Sequence, residues 1–245
     1  MPTDLISVKT FTHENVLSPF DPDLQPTQAT AYWLQRDIVR GVFTPDERLK
    51  VEQLCQFYQI GQNPVREAIL ILATSGLLVH EHQKGYRVAP VSLHDFEDAW
   101  DIYQRLYRIA MNLAVERGDE AWEESVVLQL HRSLKVKKVL PSDDPESREM
   151  WQQAYIRLHR ALLAGCQSPL LQEILLDIGG RLERYINLFA DLNLDLQRDH
   201  HAEHRKIVDA LVARDGERLQ NLIDNLFTGG EPLRQSLVDA LSKLS

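Results

Sequence analysis

The sequence predicts a mainly α-helical chain in two parts: a winged helix-turn-helix over residues 26–90, then an all-helical bundle over 91–245. Three observations carry this reading. The stretch "IGQNPVREAILILATSG" (60–76) opens a short amphipathic helix on Gly, Gln, Asn and Pro. The runs "LLVHEH" and "YRVAPV" then flank "QKG" as two short strands flank a turn. From Ser92 onward apolar residues recur at helical spacing, and no run alternates apolar with polar as a strand would.

Each element follows from its residues. Residues 1–25, with Pro19, Pro22 and no sustained period, read as a flexible arm. Thr27 is placed to cap a helix that runs to Val39 and buries Ala31, Leu34, Ile38 and Val39. "GVFTPDE" breaks it, and a second helix near 51–58 offers Val51, Leu54, Cys55 and Tyr58 to the core. The third starts after Gly61, with Asn63 as expected cap and Pro64 at the first helical position, where its missing N–H costs nothing. Val65, Ala68, Ile69 and Leu72 form its inner face, and Gly76 stops it. Gly85 supplies the permissive turn of the wing. Ser92 with Asp95 gives a capping-box-like start to a helix over 93–117. Further helices fit 120–138, 147–166, 169–192, 199–213, 216–226 and 232–244, making a bundle of six or seven members.

Composition bounds the function. Hydrophobic residues make up 44% and charged residues 26% of 245, an ordinary globular balance that excludes a disordered chain. No run of about eighteen apolar residues occurs, so no membrane span is expected. The first twenty residues lack the basic region and continuous apolar core of a signal peptide, so a cytoplasmic location is expected. Cys55 and Cys166, the two cysteines, satisfy no zinc spacing and read as small buried apolar residues. The net charge is −9, yet residues 26–90 carry +1. The acid surplus lies outside the helix-turn-helix segment, and a nucleic-acid reading rests on where its cations stand.

The third helix leaves Gln62, Asn63 and Arg66 outward at its N-terminus. The free N–H groups and positive dipole end there favour phosphate, while amide and guanidinium groups match base edges in the major groove. With Arg48 and Lys50 before it and Lys84 and Gly85 at the wing, these seven residues form the expected DNA-contacting set.

The pattern "DIVRGVFTPDERLKVEQLCQFYQIGQNPVREAILILATSGLL", followed by "KGYRV", resembles the DNA-binding domain of GntR-type bacterial transcriptional regulators. The helices after it resemble the FCD effector domain of the FadR subfamily, and the likeness spans about residues 28–230. It implies that Arg66 and the two residues before Pro64 touch DNA, and that the wing glycine enters the minor groove. One departure is Gly61-Gln62, where the family usually has Ser or Thr followed by Arg. Leu70 and Ile71 also stand where relatives are often polar.

In the effector domain the resemblance implies a divalent metal, zinc or nickel, held by an Asp, a His four residues later and two further His. His159 and His204 match two of these places. Tyr155 stands where the Asp should be, Leu182 or a neighbour where the middle His should be. Tyr103 and Tyr107 replace an Arg and a Glu of the first bundle helix. Two readings stay open: an incomplete metal site on His159 and His204, or core histidines hydrogen-bonded to tyrosines. The exchanges make a less polar cavity, so Tyr103, Tyr107, Tyr155, His159, Arg184 and His204 are expected to hold an aromatic or largely apolar small-molecule effector. Arg181 and Arg157 are further candidates for a carboxylate or for the solvated surface.

The function expected is a regulator that binds a palindromic double-stranded DNA operator as a homodimer and responds to that effector. The alternatives are an effector-independent DNA-binding dimer and a helical interaction protein that has lost DNA. No Ser/His/Asp order, phosphate loop or complete metal set is present, so no enzyme is expected.

Overall fold

The computed structural model describes residues 25–137, 145–189 and 198–243. The expected arm of residues 1–25 lies outside them save for its last residue, as do the predicted helix ends at 138, 190–192 and 244. The chain divides into two compact units, the first ending at Pro90 and the second beginning at Val91. No helix among the described residues is long and apolar enough to cross a membrane.

The first unit holds α1 (Pro26–Val39), β1 (Arg48–Leu49), α2 (Val51–Tyr58), α3 (Gln62–Thr74), β2 (Leu78–Glu81) and β3 (Gly85–Val88). Leu34, Ile38, Leu54, Val65, Ile69, Leu72 and Val88 close its core. Thr27 is not the cap of α1. Gln25 is, in extended conformation, with Pro26 at the first helical position. Thr27 instead donates its hydroxyl to Glu67 Oε2 at 2.6 Å and ties α1 to α3. Asp37, on the buried face of α1, accepts from Tyr58 Oη at 2.8 Å and from Arg36 Nε at 2.9 Å, so a carboxylate in the core is doubly satisfied.

Helix α3 ends in a Schellman turn. Gly76 N–H reaches Ala73 O and Leu77 N–H reaches Leu72 O, which requires the left-handed backbone of Gly76 (φ 78°). The sheet has order β1-β3-β2 and is antiparallel throughout. Strand β1, two residues long and too short to show a period, was absent from the sequence expectation. It pairs Arg48 with Arg87 and Leu49 with Tyr86.

The second unit holds α4 (Leu93–Arg117), α5 (Glu120–Ser133), α6 (Pro145–Ala164), α7 (Pro169–Leu188), α8 (His200–Val212), α9 (Gly216–Gly229) and α10 (Glu231–Leu241). Ser92, Asp119, Ser168, Asp199 and Asp215 each cap their helix through the side chain. Tyr185 of α7 fixes the entry to α4: its hydroxyl donates to Asp95 Oδ2 at 2.6 Å. One apolar cluster joins Tyr107, Met111, Leu158, Leu162, Val208 and Leu219 across α4, α6, α8 and α9. A second joins Phe96, Leu182, Tyr185, Leu237 and Leu241.

Trp122 of α5 lies in a cradle that only glycine permits. A Cβ on Gly165 would stand 2.3 Å from its ring, and Trp122 Nε1 donates to Ala161 O at 2.8 Å. Gly165→Ala is therefore expected to overpack this contact and lower stability by about 1–3 kcal/mol, seen as a reduced denaturation midpoint. A midpoint equal to wild type would show that the indole has room to move.

Candidate nucleic-acid interface and histidine-tyrosine cluster

Helix α3 begins two residues earlier than its proline suggests. Gly61 is the N-cap in extended conformation, Gln62 is the first helical residue, and no side chain caps the turn. Asn63 is therefore not the cap. The first four N–H groups of any helix lack intrahelical acceptors, so Pro64 at the third position removes nothing the helix uses. The shift frees the Asn63 side chain. Gln62, Asn63 and Arg66 are all exposed, and Arg66 Nη2 makes a long contact to Gln62 Oε1 at 3.4 Å. Leu70, 55% exposed, and Ile71 continue the outer surface.

Lys84 and Gly85 are exposed at the wing tip, where Gly85 has φ 84° and a Cβ would meet nothing within 4 Å. The backbone conformation, not crowding, calls for glycine. Arg48 is exposed on β1, and its guanidinium stands 3.8 Å from Glu81 Oε2. The same carboxylate receives Arg87 Nε at 2.8 Å, and Arg87 also meets Asp46. Lys50 is exposed just before α2. All seven predicted contact residues thus reach solvent, and Arg48 does so beside an acid.

In the second unit the structure brings five of the six predicted effector residues together. His159 Nε2 and His204 Nε2 lie 3.1 Å apart, with rings nearly perpendicular. The Tyr155 ring lies against His159 at 4.1 Å between centroids, tilted by 34°, and Tyr107 approaches the same imidazole at 6.2 Å. Tyr103 lies against Tyr107. Arg184 is the residue apart: it is buried on α7, where its charge acts on Tyr185 of the second apolar cluster. Arg181 pairs with Asp177 and Arg157 is exposed. Tyr155 is itself 40% exposed, so it forms the rim of the cluster, not its floor.

Leu182 is not part of the cluster. It packs with Phe96 and Tyr185, because α7 turns that face to the start of α4. The residue that meets the tyrosines is Phe227 of α9, edge-on to both Tyr103 and Tyr107. Helical spacing marks Phe227 as apolar but cannot name its partner. Beside it a groove of about 230 Å³ is lined by Gln104, Arg108, Asp224, Thr228 and Glu231 as well. Arg108 pairs with Asp224 at 2.9 Å there and lies over the Phe227 ring.

Burial sets the protonation of the cluster. It pushes His159 down to about 4, with the charge of His200 adding, and holds His204 well below the ordinary value, with His159 and two further histidines adding. Burial pushes Tyr103 up to about 12 and Tyr107 well up. Near neutral pH every one of these groups is uncharged, and one imidazole donates to the other. The pair does not fit the metal site that the resemblance implies. Stable zinc sites use three or four protein ligands, and among the described residues no group of three His, Cys, Asp or Glu side chains converges.

Comparison with known proteins places both units. The family profile of the FCD domain matches residues 98–229, and that described as bacterial regulatory proteins, gntR family, matches residues 26–88. The chain is 33% identical over 195 residues to the HTH-type transcriptional repressor GlaR of Escherichia coli (strain K12), covering 78% of this chain and 87% of that protein. It is 33% identical over 196 residues to the uncharacterized HTH-type transcriptional regulator BphR of Paraburkholderia xenovorans (strain LB400), covering 80% of each. The solved structure of E. coli McbR/YncC shares the fold at TM-score 0.71 and 18% identity, covering 87% of this chain and 98% of that one.

The depressed histidines give stability a definite pH dependence. Unfolded, they titrate near about 6.5, so protons bind the unfolded chain first as pH falls. Their contribution is full above about 6.5 and is lost toward 4, at up to about 1.4 kcal/mol per pH unit for each proton. Melting temperatures between about pH 7.5 and about pH 5 should fall, and His159→Gln should flatten the fall. An equal slope in that variant would remove His159 as its source.

Proposed function

We propose, from the premise that this chain belongs to the gntR family of bacterial regulatory proteins and carries an FCD domain, that it binds a palindromic operator as a homodimer under the control of a small-molecule effector. It is a transcriptional regulator and not an enzyme. The observation that carries the proposal is the uncapped, outward N-terminal turn of α3, with Gln62, Asn63 and Arg66 exposed on it.

Residues 26–90 form the DNA-binding part. Arg66, Asn63 and Gln62 read base edges in the major groove, Arg48, Lys50 and Lys84 meet phosphates, and Gly85 lets the wing backbone approach the minor groove. Two copies related by a two-fold axis address two half-sites, so the operator repeats that symmetry. Residues 91–245 supply dimerisation and the effector site. Tyr103, Tyr107, Tyr155, His159 and His204 line that site, and their uncharged state supports an aromatic or largely apolar ligand acting in the cytoplasm. The ligand alters DNA binding only so far as it binds two arrangements of the dimer unequally.

Fluorescence anisotropy with the DNA upstream of the chain's own gene, at about 50 mM and about 200 mM salt, tests the reading. Binding should weaken steeply with salt; no binding at either concentration would favour an interaction protein that has lost DNA. Arg66→Ala should cost about 1–3 kcal/mol of affinity and relax preference at one operator position. Glu81→Gln should act the other way, since it frees Arg48: roughly twofold or greater tightening, with a steeper salt slope. Weaker binding by Glu81→Gln would show that the carboxylate orients the arginines productively.

A further inference from the structure

The histidine-tyrosine cluster contains a buried hydroxyl that, among the described residues, the fold does not use. Tyr107 is 1% exposed, and among the described residues its buried Oη has no hydrogen-bond partner. Tyr185 is buried to the same extent, and there the fold supplies Asp95 as acceptor. Leaving a buried phenol unpaired is unfavourable, and phenylalanine would occupy the same volume without that cost. Violations of this kind are expected where function constrains the residue.

The surroundings of Tyr107 define what could meet that hydroxyl. Tyr103 lies at 5.7 Å, Phe227 at 5.8 Å and His159 at 6.2 Å between ring centroids. The hydroxyls of Tyr103 and Tyr155 are near enough to raise its pKa further. All are uncharged aromatic groups near neutral pH. Among the described residues the one fully buried Arg or Lys is Arg184, and it acts on the other apolar cluster. Arg108, which lies over the Phe227 ring, is already paired with Asp224, so a carboxylate entering here would lose its water and gain that cation only by displacing an acid, which is unfavourable. The two imidazole nitrogens that a metal would need are engaged with each other. A ring carrying one uncharged oxygen has neither difficulty.

Resting on the effector reading above, we infer that Tyr107 Oη is the anchoring hydrogen-bond donor for an uncharged, oxygen-bearing aromatic effector, bound without a metal ion. The aromatic walls supply apolar area and edge-to-face contact. Specificity comes from the hydroxyl, because a ligand lacking the oxygen leaves it unpaired.

Phenol and benzoate, which share a ring and differ in charge, are suitable probes for calorimetric titration of the full chain, with zinc chloride and nickel chloride tested alone. Wild type should bind phenol at least tenfold more tightly than benzoate, and chelator treatment should leave that affinity unchanged. Tyr107→Phe should weaken phenol binding at least tenfold while raising the melting temperature of the ligand-free protein by roughly 2 °C. Tyr185→Phe, which loses a made hydrogen bond, should lower the melting temperature and keep phenol affinity. The inference is overturned if Tyr107→Phe binds phenol normally, if benzoate is preferred, if binding needs added zinc or nickel, or if phenol does not bind. Zinc-dependent or benzoate binding would leave the effector reading standing; that reading fails separately, if no compound of any charge alters operator affinity.

Discussion

Burial of one face of α3 is the constraint on which the rest of the first unit depends. Val65, Ala68, Ile69 and Leu72 are all at most 2% exposed, packed under α1, α2 and the sheet. At 3.6 residues per turn, fixing these four fixes the opposite side, so Asn63, Arg66 and Leu70 must point outward. The Schellman turn at Gly76 holds the helix at its C-terminal end, and the Thr27–Glu67 hydrogen bond ties its middle to α1. Support for the outward face of α3 therefore comes from residues that are not part of it.

The second unit uses burial differently, to set charge. Transferring imidazoles and phenols out of water disfavours their ionised forms, and the four histidines on and near α8 reinforce this by mutual repulsion. A neutral, hydrogen-bonding interior results where the same fold, with Asp or Glu at these positions, would be ionic. The His159–His204 bond is compatible with neutrality because one ring donates and the other accepts. Protonating the accepting ring removes the acceptor, and protonating either ring leaves a buried cation, which is why the arrangement and its pH limits have one cause.

The architecture was legible in the sequence because both periods were strong: the apolar repeat over 93–117 and the Gly76, Gly85 punctuation each have a single structural reading. Boundaries were less so. Thr27 and Asn63 are good capping residues, yet Gln25 and Gly61 occupy the caps: Pro26 sets the first helical position of α1, whereas α3 starts two residues before Pro64, which is tolerated at its third position. Strand β1 is two residues long and exists only through its pairing with β3. The histidine pair was legible through the resemblance to the FCD domain; its neighbour was not. Choosing between Leu182 and Phe227 requires knowing which face of α7 and of α9 turns to α4, a property of packing between helices and not of either helix alone.

The acidic total raises the question of how such a chain could face a polyanion. Five of the six acids within residues 26–90 are already engaged. Asp37 is held by Tyr58 and Arg36, Glu67 by Thr27, and Glu47 by the backbone and hydroxyl of Thr44. Asp46 and Glu81 are held by Arg87. Their negative charge is spent on the fold's own donors, and Arg87 is spent with them. Arg66, Lys50 and Lys84 remain on the surface without ion pairs to those acids, and Arg48 only at 3.8 Å. At physiological salt, charges act over about 8 Å, so the local arrangement beside the helix tip and wing, and not the sum over the chain, sets the field that a polyanion approaching there would meet.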